Sequence, residues 1–180
     1  MAATAKKKAG TPGWPGEIFD TLKAAGVAQV SYVPDAGHAE LIRRCLADNR
    51  IKTTRLTTEE EGIALALGAW LGGDRSALLM QSSGVGNCIN MLSVIMETRS
   101  PLLMLVTMRG EWGEFNPWQI PMGQSTQKTL EDAGMIVYHV DRAEDLAETL
   151  HAAAQIAFST YRGVAVLIGQ RVIGFKDWRK

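Results

Sequence analysis

Residues 77–80 and residues 102–106 are apolar at every position. A strand that faces solvent on one side alternates apolar and polar side chains, whereas a strand covered on both faces forms a continuous apolar run. Neither stretch shows the period of two. The pattern therefore predicts two strands in the interior of a sheet that is covered on both sides.

Helix-like segments alternate with short β-rich segments along the rest of the chain. The predicted strands are residues 27–33, 51–56, 76–83, 101–108, 135–140 and 163–169. The predicted helices are residues 16–26, 38–49, 59–73, 87–99, 126–134 and 143–160. Because strands that alternate with helices form mostly parallel sheets, we expect a three-layer α/β fold with about six strands and helices on both faces.

The length and charge of the chain limit the class of protein. Its 180 residues fit one domain, which we place at residues 16–180. Residues 1–15 are small, basic and interrupted by proline and glycine, which predicts a disordered tail rather than a transit peptide. Lys and Arg together number 19, as do Asp and Glu, so the net charge is zero. This balance argues against binding nucleic acid through bulk charge.

The cysteines and the hydropathy suggest where the protein resides. Cys45 and Cys88 do not have the paired spacing of a metal site, and no segment indicates secretion. No apolar run reaches the length of a membrane span. We therefore expect two reduced thiols in a cytoplasmic protein.

Unusual polar residues follow four of the predicted strands. The segments are VPDAGH, LTTEEEG, QSSGVGN and TMRGEWGE. In parallel sheets, ligands bind outside the carboxyl ends of the strands. We therefore expect most of the chemistry of this protein at one edge of the sheet.

The segment QSSGVGN lies between a buried strand and a helix. Its glycines, Gly84 and Gly86, let the backbone approach a ligand closely, and free N–H groups at a helix start favour anions or polar ring atoms. The segment lacks the third glycine of a dinucleotide site and the Gly-Lys-Ser/Thr ending of a phosphate loop. By itself it is equally compatible with a plain tight turn.

Three consecutive glutamates, Glu59, Glu60 and Glu61, open the third predicted helix. Acidic side chains in a first turn complement the helix dipole, with Thr57 or Thr58 as the cap. That interpretation explains two of the three glutamates well. It explains less well why an acid lies at the end of a strand, where a functional carboxylate is the alternative.

The segment from residue 109 to about residue 124 is a long polar loop that contains Trp, Phe and Arg. Such loops are often binding loops or lids, and the same residue types also anchor subunit interfaces. Among the histidines, His38 follows a strand end and is a site candidate. His139 is predicted to lie in a strand core and His151 on a helix surface.

The motifs occur in an order that resembles a known family. VPD, then TTEEEGIALALG, then LLMQSSGVGN, then MRG with NP and PMG is similar to the pyrimidine-binding domain of thiamine-diphosphate-dependent 2-oxoacid decarboxylases. The resemblance covers residues 16–169, and within the family it is strongest to the sulfopyruvate decarboxylases, with the phosphonopyruvate decarboxylases as close kin. It implies the three-layer α/β fold of that domain.

The resemblance implies a role for one glutamate. In this family a glutamate hydrogen-bonds a ring nitrogen of the cofactor's aminopyrimidine and thereby favours the tautomer that deprotonates the thiazolium carbon. The family pattern places it nine positions before the glycine that is Gly68 here, which gives Glu59. Glu60 is the rival if the alignment slips by one residue. Otherwise Glu60 and Glu61 are expected to support the helix start.

The resemblance also implies further contacts. Besides Glu59, the residues expected to contact the cofactor are Pro34, Ser83, Gly84, Gly86 and Asn87. The residues expected near the substrate are Asp35, His38 and Arg109. Related decarboxylases often have PGD where this chain has PDA, so the position of the acid differs. Arg109 would either attract an anionic substrate tail or tie down its loop.

One family motif is absent from the sequence. We find no GDG followed by a distant Asn, the pattern that holds Mg²⁺ and the diphosphate in this family. The resemblance therefore implies a hetero-oligomer with a separate diphosphate-binding beta subunit, acting on a small anionic 2-oxoacid. The short chain favours sulfopyruvate over phosphonopyruvate. Carboligation and a non-catalytic scaffold subunit are the alternatives.

Overall fold

The computed structural model of the chain describes residues 13–175. Its six strands are β1 (Val27–Tyr32), β2 (Lys52–Arg55), β3 (Arg75–Gln81), β4 (Leu102–Thr107), β5 (Ile136–Val140) and β6 (Gly163–Ile168). They form one sheet in the order β2-β1-β3-β4-β6-β5, and every neighbouring pair is parallel.

Helices follow the strands in alternation. Within the described residues they are α1 (Trp14–Ala24), α2 (Ala39–Ala47), α3 (Glu59–Leu71), α4 (Val85–Thr98), α5 (Gln119–Asp132), α6 (Leu146–Thr160) and the short α7 (Gln170–Ile173). A single 3₁₀ turn, Ser82–Gly84, joins β3 to α4.

The hydrophobic core has two halves, one on each face of the sheet. One half packs the sheet against α1, α2 and α6, and the other packs it against α3, α4 and α5. Strand β4 contributes to both, with Leu103 and Leu105 on one face and Leu102, Met104 and Val106 on the other. A strand buried on both faces needs an apolar side chain at every position. The predicted three-layer α/β fold is therefore confirmed.

The strand order reverses at β1, which lies between β2 and β3. The connections that leave the paired strands β1 and β3 diverge, because α2 lies on one face of the sheet and α4 on the other. Such a point leaves a crevice at the carboxyl edge of the sheet. Three of the polar segments, those that follow β1, β2 and β3, therefore begin next to one another.

The boundaries of three helical segments differ from the prediction. Helix α1 begins at Trp14, because Pro15 in the first helical turn needs no hydrogen-bond partner for a backbone N–H. The disordered tail was predicted for residues 1–15, of which residues 1–12 lie outside the described part of the chain. Helix α5 begins at Gln119, so the predicted loop is shorter, and α7 was not predicted.

The start of α5 was missed because it contains a proline and a glycine. Pro121 lies in the first turn, where proline is tolerated. A Cβ atom on Gly123 would overlap the carbonyl oxygen of Arg109, so this glycine allows the helix to pack closely against the preceding loop. Its role depends on a tertiary contact that local sequence does not reveal.

The prediction that His139 lies in a strand core was wrong. Strand β5 is at the edge of the sheet, and His139 is exposed there, with its Nε2 atom 3.0 Å from Oε1 of Glu111. This contact raises the pKa of the His139 imidazole. His151 is exposed on α6, as expected.

Cys45 and Cys88 are both free thiols and both are buried. Within residues 13–175, no helix combines the length and the apolar character that a membrane crossing requires.

Candidate active site

Glu59 is the first residue of α3, and its side chain points back toward the start of α4. The residue is only 8 % exposed. Its Oε2 atom accepts a hydrogen bond of 2.8 Å from the side-chain amide of Asn87. Glu59 is thus a buried carboxylate with a single hydrogen-bond donor from the neighbouring helix.

Gly84 lies directly against this carboxylate. A Cβ atom on Gly84 would lie 2.5 Å from Cγ of Glu59 and closer still to the carboxyl group. The position therefore requires glycine as long as Glu59 occupies its place. Gly86 differs, because a Cβ atom there would make only an ordinary contact of 3.5 Å with Sδ of Met122. The packing of this chain explains the first glycine of the motif but not the second.

The other two glutamates support the helix start, in the way the sequence predicted. Glu60 accepts a hydrogen bond of 2.7 Å from the Thr58 hydroxyl, and Glu61 accepts one of 2.9 Å from the Thr57 backbone N–H. Thr58 is at the N-cap position of α3. Two acids in the first turn thus serve local structure, while the third points toward another helix.

Cys88 packs close to the Glu59 carboxylate. Burial, followed by the negative charges of Glu59 and Glu60, raises the pKa of the Cys88 thiol to about 12. The thiol therefore stays protonated at neutral pH, and it is not a nucleophile.

A second polar cluster joins the ends of β1, β3 and β4. The Asp35 carboxylate accepts hydrogen bonds from the Gln81 amide at 3.2 Å, the Thr107 hydroxyl at 2.5 Å and the His38 backbone N–H at 3.2 Å. The side-chain oxygen Oε1 of Gln81 in turn accepts a hydrogen bond of 2.7 Å from the Ser83 hydroxyl. A continuous chain of hydrogen bonds therefore links Asp35 to Ser83.

His38 lies beneath this cluster, and its ring is fully buried. Its Nε2 atom is 3.1 Å from the carbonyl oxygen of Leu105, and its Nδ1 atom has no partner among the described residues. Burial lowers the pKa of the His38 imidazole, although the charge of Asp35 acts in the opposite direction. The ring is therefore neutral at pH 7, and it donates to the carbonyl from Nε2. The structure places it under the Asp35 turn and away from the open edge.

Arg109 is held by an ion pair inside its own loop. Its Nε and Nη2 atoms each lie 2.7 Å from an oxygen of Glu114, whose side chain is almost fully buried. Glu114 also accepts hydrogen bonds from Gln170 and from the backbone of Gly110 and Asn116. Burial alone would raise the pKa of Glu114, but these hydrogen bonds outweigh it and lower the pKa to about 2.

The structure places most of the predicted site residues in two clusters, which also contain residues that were not predicted. Residues 59, 84 and 87 form one cluster, and residues 35, 38 and 83 belong to the second. Arg109 and Asp35 line a cavity of about 160 Å³ together with residues 36, 37 and 173–175. Exposed Pro34 has no backbone N–H to donate.

Four residues of these networks were not predicted. Gln81 and Thr107 are the last residues of two strands, and that position was the available signal. Glu114 and Gln170 had no comparable signal, because their contacts depend on how the loop after β4 folds against α7.

The arrangement around Glu59 fits one half of an aminopyrimidine site. A buried carboxylate that shares a proton with a ring nitrogen is stabilised when water is excluded. Gly84 packs against one oxygen of the carboxylate, and Asn87 bonds the other. Within residues 13–175, no group of three or more His, Cys, Asp or Glu side chains is placed to bind a metal.

Fold and site together define the chain as a three-layer α/β cofactor-binding domain with its polar residues at the carboxyl edge of a parallel sheet. Two solved structures share this fold at a TM-score of 0.70. The 2-oxoglutarate:ferredoxin oxidoreductase from Magnetococcus marinus is 15 % identical over 90 % of this chain, which spans 29 % of that structure. A protein described as a thiamin diphosphate-dependent enzyme from Mycobacterium smegmatis is 18 % identical over 89 %, and this chain spans 31 % of it.

Sequence comparison shows the family. Residues 17–133 match the family described as thiamine pyrophosphate enzyme, N-terminal TPP binding domain, and the chain belongs to it. Sulfopyruvate decarboxylase subunit alpha of Methanococcus maripaludis is 33 % identical over 84 % of this chain and 91 % of that protein. The subunit alpha of Methanocaldococcus jannaschii is 31 % identical over 83 % and 89 %.

A longer relative shares the same segment. Phosphonopyruvate decarboxylase of Streptomyces viridochromogenes is 33 % identical over 79 % of this chain, but the match covers 36 % of that protein. The resemblance inferred from the motifs is therefore confirmed by sulfopyruvate decarboxylase subunits and by a phosphonopyruvate decarboxylase.

Proposed function

We propose that this chain is the alpha subunit of a thiamine-diphosphate-dependent decarboxylase that converts sulfopyruvate to sulfoacetaldehyde and carbon dioxide. The match to proteins named sulfopyruvate decarboxylase subunit alpha extends over about nine-tenths of their length, at 91 % and 89 %. The structural observation that carries the proposal is the buried Glu59 carboxylate, with one oxygen held by Asn87 and the other adjacent to Gly84.

In this proposal, Glu59 hydrogen-bonds a ring nitrogen of the cofactor's aminopyrimidine. When bound, thiamine diphosphate supplies the electron sink that accepts the bonding electrons as carbon dioxide leaves. Glu59 holds or releases one proton at the ring nitrogen, and α3 and α4 bury most of its side chain. Ser83, Gly84, Gly86 and Pro34 border the same edge of the sheet and leave room for the ring.

The loops after β1 and β4 form the substrate side in this proposal. Asp35 and Arg109 border a common cavity, which suits a small molecule. Because Glu114 binds the guanidinium of Arg109, the main task of Arg109 is to anchor its loop. His38 supports the Asp35 turn from below.

We assign Mg²⁺, the diphosphate and part of the substrate site to a beta subunit. The name subunit alpha of the relatives supports a partner chain. We place the docking surface on α3 and α4, the helices that carry Glu59 and Asn87, because Leu65, Leu71 and Ile89 are exposed on them. Helix α3 is apolar on its outer as well as its inner face, which is typical of a helix covered on both sides.

Co-expression with the candidate beta subunit tests the proposal. The purified complex would be assayed for carbon dioxide release from sulfopyruvate, phosphonopyruvate and pyruvate, with Mg²⁺ and thiamine diphosphate added. Release from sulfopyruvate that requires both subunits is the expected result. Preference for phosphonopyruvate would assign to this chain the substrate named for the longer relative, which is 33 % identical.

Two other outcomes would change the class of function. Formation of an acyloin instead of the free aldehyde would indicate carboligation. A stable complex that binds no thiamine diphosphate would indicate a scaffold subunit.

A further inference from the structure

The hydrogen bond between Asn87 and Glu59 has a defined direction. An ionised carboxylate only accepts hydrogen bonds, whereas a side-chain amide has one donor end and one acceptor end. The amide nitrogen of Asn87 must therefore face Glu59, as it does at 2.8 Å from Oε2. The carbonyl end of the amide points away from the carboxylate.

The two oxygens of Glu59 are consequently not equivalent. Oε2 is occupied by Asn87, while Oε1 is the atom nearest to the missing side chain of Gly84. Among the described residues Oε1 has no hydrogen-bond partner, and it is not one of the two buried polar side-chain atoms that lack one. Oε1 therefore remains accessible from outside the subunit.

Asn87 is exposed in the first turn of α4, and the apolar residues that hold this helix to the core lie on its other side. The buried positions of α4 are Val85, Cys88, Leu92 and Ile95. Replacing Asn87 leaves these contacts in place. The bond to Glu59 is its only side-chain hydrogen bond within the described residues.

We propose that Asn87 is a positioning residue that acts through Glu59 and selects Oε1 as the oxygen presented to the cofactor ring. This inference rests on the proposed function. A donor directed at Oε2 restricts rotation of the carboxylate. Asn87 thus controls which oxygen shares the proton with the ring nitrogen.

This role differs from a direct contact between Asn87 and the ring. A direct contact would contribute mainly to cofactor affinity. A contact through Glu59 leaves affinity nearly unchanged and alters the proton transfer that activates the cofactor. The two roles therefore predict different results for the same variants.

The test uses the alpha–beta complex with Asn87→Leu, a replacement of similar size. Asn90→Leu, on the next turn of α4 and also exposed, is the matched control. The measurements are kcat and KM, the dissociation constant of thiamine diphosphate, and the rate of deuterium exchange at the thiazolium carbon of the bound cofactor.

We expect Asn87→Leu to lower kcat and the exchange rate together by about tenfold, the effect of one hydrogen bond to a charged group. KM and the cofactor dissociation constant change less than twofold. Asn90→Leu changes neither kcat nor the exchange rate.

An unchanged exchange rate in Asn87→Leu would overturn the proposal, and a large loss of cofactor affinity would favour direct ring contact instead. Glu59→Gln and the double variant Glu59→Gln/Asn87→Leu separate this inference from the proposed function. If Glu59→Gln alone leaves exchange intact, the proposed function fails. If Glu59→Gln leaves a measurable residual rate and Asn87→Leu lowers that rate by the same factor as in the wild type, only the role of Asn87 fails.

Discussion

Three identical side chains, Glu59, Glu60 and Glu61, have three different environments. Glu60 and Glu61 accept hydrogen bonds from the threonines immediately before α3. Glu59 is buried and bonded to a residue of α4. A one-residue step along a helix rotates a side chain by about 100°, so adjacent identical residues face different surroundings.

Glu59→Gln tests which glutamate is functional. The amide keeps the size of the side chain and removes the group that shares a proton. We expect the complex to fold normally and kcat to fall by about 10²–10⁴, the range for a lost proton-transfer group. Steady-state kinetics of the complex, with thermal unfolding as the check on folding, would show this. Glu60→Gln is the control, and a comparable loss there would reassign the role.

Gly84→Ala tests the packing around Glu59. The added methyl group would overlap the Glu59 side chain, so either the carboxylate or the turn must move. Overpacking of this kind destabilises a fold by about 1–3 kcal/mol. We expect a lower free energy of unfolding by chemical denaturation and a lower kcat. Gly86→Ala adds a methyl without overlap, and equal destabilisation in both variants would contradict this description.

The loop after β4 is held by charged and polar side chains from the loop itself, from α7 and from β5. Arg109 binds Glu114 within the loop, Gln170 of α7 binds Glu114 and the loop backbone, and Glu111 contacts His139 of β5. Exposed aromatic residues are carried by this anchored loop, among them Trp118 at 81 % exposure. The loop is therefore defined by its polar anchors and not by an apolar core of its own.

Acid should weaken this loop. The pKa of Glu114 is about 2 in the folded protein and ordinarily 4.5. A carboxyl whose pKa is lowered on folding contributes stability that is complete above the ordinary value and is lost as pH falls toward the folded value. Between pH 5 and about pH 2.5, the free energy of unfolding of the wild type should therefore fall more steeply than that of Glu114→Gln. Parallel pH dependences in urea denaturation would contradict the role of this ion pair.

At the scale of the whole molecule, exposed apolar side chains occur on the two helices that carry Glu59 and Asn87. Leu65 and Leu71 are exposed on α3, and Ile89 is exposed on α4. A partner that covers these helices would lie beside the half-formed site. Docking and completion of the active site would then occur in one event.

Ile89→Glu tests this surface. The isolated subunit should fold normally, because Ile89 is exposed, whereas a charge at the centre of an apolar interface should weaken assembly by tenfold or more. Leu46→Glu, at an exposed position on α2 in the opposite layer, is the matched control. Titration of the beta subunit would measure the difference, and equal affinities would place the partner elsewhere.

The sequence determined the element order, the parallel three-layer fold and the edge that carries the chemistry. The apolar runs of β3 and β4 are a local property, and burial on both faces follows directly from them. The family pattern that the motifs resemble, counted back from Gly68, nominated Glu59. These conclusions required no knowledge of which distant residues meet.

Only the tertiary structure decided the hydrogen-bond partners. Asn87 bonds Glu59, 28 positions away, and Gln81 bonds Asp35, 46 positions away, because α3 packs on α4 and β1 pairs with β3. The tertiary structure also decided the partner of Arg109. The sequence left its charge available for a substrate, but in the fold it pairs with Glu114. A local pattern indicates how a residue is buried. Its hydrogen-bond partner depends on the order of the strands in the sheet and on which helices pack together.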